Sequence, residues 1–422
     1  MTDPDQRSAA PAAGLPMDRL PGRAPGPGWG LLKGVRIVDL TTSVAGPYAA
    51  QLLADFGADV IKVERRETGD DARGWGPPFL DGESLWFIAV NRNKRSLALD
   101  YAAPEGAAVL RDLIAKADVV ILNQPPRVAR KLGLDPDSVR GLRADIIYAS
   151  ITGFGLDGDR ADWPCYDLIA EGYSGIMDLT GAPDNEPQKV GTPAADMLAG
   201  QDAAMAVIAA LFDRARSGNG HLVDVALVDS MTRFLACRIV PYLGSGEVAR
   251  RSGGKDSVIA IYQTFDTADE PVTLGLGNDN IWQRFWTAVG QPARGQDEAT
   301  ATNRDRRARR PQIVAEIQAL LKTKPRTHWL SVLGAARIPC GPINRVDEVS
   351  ADPQLIDRGL FYRLENGARS VPQVGIGIRI DRDAATARHS PPLLGEHSED
   401  VLRDVLDYGD AEIERLRRDK II

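Results

Sequence analysis

Asp196 follows Pro193-Ala194-Ala195 and precedes an Ala-rich stretch, Met197–Ser217 (MLAGQDAAMAVIAALFDRARS). That places a carboxylate near a helix N-terminus, and two roles fit. One is a cap for orphan N–H donors. The other is a covalent nucleophile, kept ionised by the helix dipole. Upstream, Thr41-Thr42-Ser43-Val44-Ala45-Gly46-Pro47 joins an apolar run to a helix start. Small residues there let backbone N–H groups approach an anion; an ordinary strand-to-helix turn has the same composition, and no GxGxxG or GxxxxGK[ST] frame is present. Two basic groups, Glu64-Arg65-Arg66 and Asn91-Arg92-Asn93-Lys94-Arg95, together with Lys131 or its neighbour Arg130, read either as phosphate partners or as solvated charge. Cys165 has no histidine close in sequence and reads as an inert thiol. Ser43 and Ser230 lack a GxSxG frame. Trp282 and Trp286, four apart on a helix, read as core.

The elements that must position these residues follow from apolar periodicity. Short Val/Ile-rich runs predict strands at Gly34–Leu40, Ala58–Glu64, Lys94–Asp100, Asp118–Asn123, Asp145–Thr152 and His221–Leu227. Helical patterns fall between them, at Tyr48–Phe56, Pro104–Ala117 and Met197–Ser217. Alternating strands and helices imply right-handed crossovers and a mostly parallel sheet. In such sheets ligands sit at the carboxyl ends of the strands, where the candidates cluster. Beyond Arg250 the texture changes. Ser257–Phe265 and Pro271–Gly277 predict a hairpin, Asn280–Val289 and Pro311–Thr323 helices, and Ala299–Arg310 a solvated loop or helix start. Leu360–Ile380 predicts another hairpin, before two amphipathic helices. The expected organisation is a tail at 1–30, a large α/β domain at 31–225, a linker at 226–249, a small α+β domain at 250–344, and a return to the large domain at 345–422.

Bulk properties exclude several classes. The chain has 422 residues and a net charge of −7, without a dominant basic patch, so nucleic acid is not an expected partner. Cys165, Cys237 and Cys340 show no CxxC pairing and the four histidines no HxxxH pair. Neither a disulfide framework nor a metal site is expected, and a reducing cytoplasm fits. No apolar run approaches the roughly 20 residues that span a bilayer, and the first thirty residues lack the apolar core of a signal peptide. Their Pro, Ala and Gly content predicts disorder.

The same residues carry a resemblance. The stretches GVRIVDLTTSVAGPYAAQLLADFGADVIKVERRETGDDARGWGPPF, NRNKRSLALD, IIYASITGFG, YDLIAEGYSGIMDLTG, VGTPAADMLAG and PPLLGEH resemble the class III CoA-transferase family, which includes formyl-CoA and carnitine CoA-transferases. GDDARGWGPPF and IPCGPIN resemble its succinate–hydroxymethylglutarate branch. The resemblance implies a Rossmann-like large domain, a small domain and an interlaced homodimer. It implies CoA and acyl-CoA as substrates, with no tightly bound cofactor. It puts the nucleophile at Asp196 and CoA contacts at Val44, Ala45, Arg65, Leu99, Ala102, Asn123, Gln124, Pro125, Lys131 and Tyr166. A glycine loop over the active site falls at Ser252-Gly253-Gly254-Lys255. The racemases of α-methylacyl-CoA resemble this pattern too, but carry a histidine where this chain has Tyr166, and phenol replaces imidazole poorly as an acid/base near neutral pH. Formyl-CoA transferase carries Gln at the place of Val44, which argues against oxalate or formate. The expected activity is CoA transfer between carboxylic acids, with succinyl-CoA or another dicarboxylyl-CoA as donor. A racemase or a non-catalytic CoA-binding protein are the alternatives.

Overall fold

The computed structural model describes residues 14–256 and 258–422. These divide into two units. The first comprises the described residues up to Ile176, with Val190–Val240 and Ser350–Ile422. The second comprises Met177–Lys189 and Pro241–Val349.

Six parallel strands form the sheet of the first unit: β1 (Arg36–Asp39), β2 (Asp59–Glu64), β3 (Lys94–Ala98), β4 (Val119–Leu122), β5 (Ile147–Thr152) and β6 (Leu222–Ala226). Their order across the sheet is 3-2-1-4-5-6. The order reverses between β1 and β4, and the crevice beyond the carboxyl ends at such a point is where doubly wound sheets bind ligands. Register is fixed by pairs such as Val38↔Ile61 and Val38↔Val120. Val, Ile and Leu fill the middle strands because both faces are covered. Val38, Ile61, Val120 and Tyr148 share a core with Leu110, Leu113 and Ile114 of the helix Pro104–Ala115. Each such aliphatic side chain contributes about 1.5–3 kcal/mol on burial.

Two helices build the site face. Helix α1 (Ala45–Asp55) follows β1, and the 24-residue α2 (Ala194–Ser217) follows the second-unit segment. Ala, Leu and Met favour α2 intrinsically. Gly218, at φ 75°, ends it by donating to the Arg214 carbonyl. This helix corrects one sequence expectation: by length and hydropathy it could cross a membrane. Here it packs on α1 and the sheet through Ala199, Gly200, Ala203 and Val207. Gly200 is needed for that contact, because a Cβ there would lie 2.6 Å from the Ala45 carbonyl oxygen.

The free edge of β3 is covered from the C-terminal segment. Asn93 N–H donates to the His389 carbonyl, Ser96 N–H to His397 Nδ1 and Ala98 N–H to Ser398 Oγ. Such coverage removes an exposed pairing edge.

The expected disordered tail is corrected from residue 14 onward; residues 1–13 lie outside the described ones. Gly22 and Arg23 pair in parallel with Arg363 and Leu364. Trp29 stacks on Phe56 at 5.6 Å between centroids, and Gly26 N–H donates to the Ala387 carbonyl. Low-complexity composition concealed contacts that are made mainly by backbone. The segment expected as a linker holds the helices Leu227–Phe234 and Ala236–Ser245.

In the second unit, Tyr262–Phe265, Val272–Gly275 and Cys340–Pro342 form an antiparallel sheet; Ser257, at the start of the expected hairpin, lies outside the described residues. Its core includes Phe265, Trp282, Phe285, Trp286, Ile317 and Trp329. Of the two readings of 299–310, a solvated loop or a helix start, the structure shows a helix, Asn303–Ala308. Its Arg306 is buried, donating to the Thr300 and Ala301 carbonyls and pairing with Asp279.

Candidate active site

Asp196 occupies the third residue of α2, with Pro193 at the cap. It is therefore not the N-cap. The capping carboxylate is Asp167, the first residue of the helix Asp167–Ser174, whose Oδ1 accepts from Ala195 N–H at 2.8 Å and from Asp196 N–H at 3.3 Å. With its capping role taken over by a neighbour, the Asp196 carboxylate has no ion pair among the described residues. Burial pushes its pKa up to about 7, and the Asp167 charge adds to the shift. The Cys165 thiol stands close by and is itself raised to about 11, by burial and then by the Asp196 charge. At that value it is a thiol at neutral pH, which removes it as a nucleophile. The loop carrying Cys165 returns tightly over the end of β5, where a Cβ on Gly153 would lie 2.1 Å from the Cys165 Cβ.

Gly200, one helical turn after Asp196, brings this end of α2 against the start of α1. The candidates Asp196, Val44 and Ala45 therefore share one neighbourhood, at the carboxyl edge of the sheet. Val44 and Ala45 are buried, so their side chains are not free to meet a ligand. The turn before them is fixed from below. Lys62 Nζ donates to the Thr41 carbonyl at 2.8 Å and pairs with Asp70 at 2.8 Å. Lys94 Nζ donates to Asp39, the Pro47 carbonyl and Asn91, at 2.8–2.9 Å. All four charged groups are buried. The two lysines hold the Asp39 carboxyl at about 2, against the opposing pull of burial. Burial is the larger influence on Lys94 and lowers it to about 8. The Asp70 and Asp39 charges overcome burial at Lys62 and raise it.

The other candidates separate into two groups. Across the switch point, Asn123 clamps Thr42 with both amide atoms, and Gln124 donates to the Leu40 carbonyl. Their side chains hold the β1 turn rather than projecting as free ligand groups. Leu99 is fully buried in the core, which excludes a side-chain contact with ligand. Asn91–Arg95, read as phosphate partners or as solvated charge, is neither, being committed to internal ion pairs: Arg92 pairs with Asp55 at 2.6 Å, Lys94 with Asp39, and Arg95 with Asp59 at 2.6 Å. Glu64 is likewise buried against Arg73.

Other candidates remain accessible. Tyr166 is 73% exposed, immediately before Asp167. Ala102 and Lys131 are exposed, Pro125 half-buried, and Arg65 pairs with Asp71 near the rim. A crevice of about 240 Å³ between Tyr101, Arg111, Leu132 and Leu134 adjoins Ala102 and Lys131. Gly253 and Gly254 belong to the second unit, where Gly253 N–H donates to the Gly181 carbonyl at 2.9 Å and the Gly254 carbonyl accepts from Thr264. The Gly253 N–H is thus already engaged.

Sequence reasoning gave no positioning role to Asp167, or to Asp39, Lys62, Asp70 and Lys94. A signal existed for Lys62: in ADVIKVE it interrupts a run buried on both faces, and a lysine there must find a partner.

Residues 32–398 match CoA-transferase family III. A succinate–glutarate CoA-transferase of Agrobacterium fabrum is 40% identical over 381 residues, covering 89% of this chain and 95% of the relative. A succinyl-CoA:glutarate CoA-transferase of Mus musculus is 36% identical over 388 residues, covering 91% and 88%. The crystal structure of a CAIB/BAIF family protein from Brucella suis superposes with a TM-score of 0.78 at 39% identity, covering 88% of this chain and 98% of that one. On these grounds the chain belongs to CoA-transferase family III and is a CoA-transferase.

Proposed function

We propose that the protein moves CoA from a dicarboxylyl-CoA, succinyl-CoA or a homologue, to a second dicarboxylic acid, with Asp196 as the covalent carrier. The names of the 36–40% identical relatives support the substrate class. The observation that carries the mechanism is a partly buried carboxylate without a cation partner among the described residues, beside the turn at the switch point. Asp196 Oδ attacks the thioester carbonyl; the C–S bond breaks and CoA leaves as thiolate. The thiolate attacks the aspartyl carbonyl of the mixed anhydride, the donor acid departs as carboxylate, and an aspartyl-CoA thioester remains. The acceptor carboxylate then attacks that thioester and releases the thiolate. The thiolate takes the acceptor acyl group, and the Asp196 carboxylate is restored. No net proton is consumed, and no ATP is needed because thioester and anhydride have comparable reactivity.

Desolvation serves this cycle twice. It raises the basicity of the carboxylate, and it keeps water from the activated acyl groups. Val44 and Ala45 backbone, Arg65, Ala102, Lys131 and Tyr166 would line the CoA path, with the adenine in the crevice beside Tyr101. A homodimer fits the exposed Met205, Phe212 and Phe234, apolar side chains on neighbouring helices of the first unit. A cytoplasmic location fits three unpaired cysteines.

The test is Asp196→Ala in a succinyl-CoA-to-glutarate assay. Transfer should fall by about 10³-fold or more, and hydroxylamine should trap an aspartyl adduct in the wild type alone. A folded Asp196→Ala enzyme of full activity would sink the assignment; α-proton exchange without acceptor acid would favour a racemase. Asp196→Asn is a poorer test of activity, since deamidation restores the carboxylate.

A further inference from the structure

Ser43 sits at the apex of the β1–α1 turn with φ 74°, a left-handed conformation that costs a non-glycine residue energy and persists only when its surroundings impose it. What imposes it is visible. Ser43 N–H donates to Asp70 Oδ1 at 2.8 Å, and the same oxygen accepts from Ala72 N–H at 2.9 Å. Asp70 Oδ2 pairs with Lys62 at 2.8 Å, and Lys62 draws the Thr41 carbonyl inward at 2.8 Å. The Thr41 carbonyl and the N–H of Ser43 itself are thus both turned into the protein. The next two N–H groups, of Val44 and Ala45, make no hydrogen bond among the described residues.

We propose that Asp70 is a positioning residue for acyl-CoA binding: it holds Ser43 left-handed and thereby keeps the Val44 and Ala45 backbone presented to the ligand. This deepens the CoA-transferase reading and rests on its placement of CoA at that turn. Asp70 itself is buried, with its carboxylate committed to Ser43, Ala72 and Lys62. Its effect belongs in the affinity for CoA and acyl-CoA, not in the chemistry at Asp196.

The test combines CoA titration calorimetry with steady-state kinetics on the full chain. Asp70→Ala should raise KM for acyl-CoA and Kd for CoA by about tenfold, with kcat within about threefold of wild type. Adding Ser43→Gly, which reaches φ 74° without strain, should recover a substantial part of the lost affinity. A purely structural Asp70 would lower the melting temperature, leave Kd unmoved in the folded fraction and show no such rescue. If Asp70→Ala fails to fold, Ser43→Val leaves the Lys62 pair in place and tests the turn directly; its β-branched side chain disfavours φ 74°, and CoA affinity should fall. A folded Asp70→Ala or Ser43→Val with wild-type Kd and KM overturns the proposal while leaving the CoA reading intact. Wild-type protein that binds no CoA would sink both.

Discussion

Beneath the β1–α1 turn, Lys62 and Lys94 face Asp39 and Asp70, and every charge meets an opposite one within 3 Å. At the start of α2, Asp196 and Asp167 stand together, and Asp196 has no cation partner among the described residues. Both regions withdraw ionisable groups from water, but only the first supplies countercharge. The lysine pair forces the Asp39 carboxyl down to about 2, while burial lifts Asp196 to about 7. The compensated cluster determines where backbone goes. The uncompensated carboxylate stores free energy that its acylation, which removes the charge, releases. Perturbed groups of the second kind mark reactive sites.

Breaking the compensated cluster should have the largest effect on the fold. Asp39→Ala strands Lys94 in the core and removes the acceptor of Thr41, and the loss should be about 3–5 kcal/mol in urea unfolding. The native pKa of Asp39 is depressed, so its contribution is present above the unfolded value of 3.8 and is lost as pH falls toward about 2. Breaking the uncompensated site should act in the opposite direction. The native pKa of Asp196 lies above 3.8, so the folded state takes up a proton between 3.8 and about 7. The corresponding stability is fully present below 3.8 and is lost as pH rises through about 7. Asp196→Asn should therefore raise stability by a few kcal/mol at about pH 8.5 and by little at about pH 4. Equal stability of the two proteins across that range would remove the argument that Asp196 is stressed. Catalysis should follow the same titration. Only the carboxylate attacks, so kcat/KM should fall about tenfold per pH unit on the acid side of a midpoint near 7. A flat profile down to about pH 5 would contradict it.

The contrast also explains what the amino-acid order revealed. The six strands and α2 were legible because a parallel sheet buried on both faces writes itself as short Val/Ile runs, from Val35 to Val225. Asp196 was legible as a carboxylate at a helix start. Its raised pKa was not, because that depends first on burial in the folded chain and then on the charge of Asp167, 29 residues away. Asn91–Arg95 was misread for a related reason: five polar residues look solvated until Asp39 and Asp59 from neighbouring strands and Asp55 from the end of α1 arrive and neutralise them. Charge pairing across a sheet has no local signature. The docking of residues 14–30 was equally invisible, since its hydrogen bonds are made by backbone that any composition supplies.

The smallest effect is the sharpest test of how the two regions differ, because it alters one charge and almost no geometry. Asp167→Asn retains a side-chain oxygen for the Ala195 and Asp196 N–H groups, so α2 keeps its cap. It removes the like charge that stands second to burial among the causes of the Asp196 shift. The acid limb of kcat/KM should move to lower pH, while its midpoint stays well above 3.8, since burial is the larger cause and remains. The plateau rate should fall slightly, because a less basic carboxylate is a weaker nucleophile. A midpoint unmoved by Asp167→Asn would mean that the two carboxylates do not interact through charge. A midpoint that dropped all the way to the ordinary aspartate value would mean that desolvation was never the main cause, and that Asp196 is as hydrated as any surface residue.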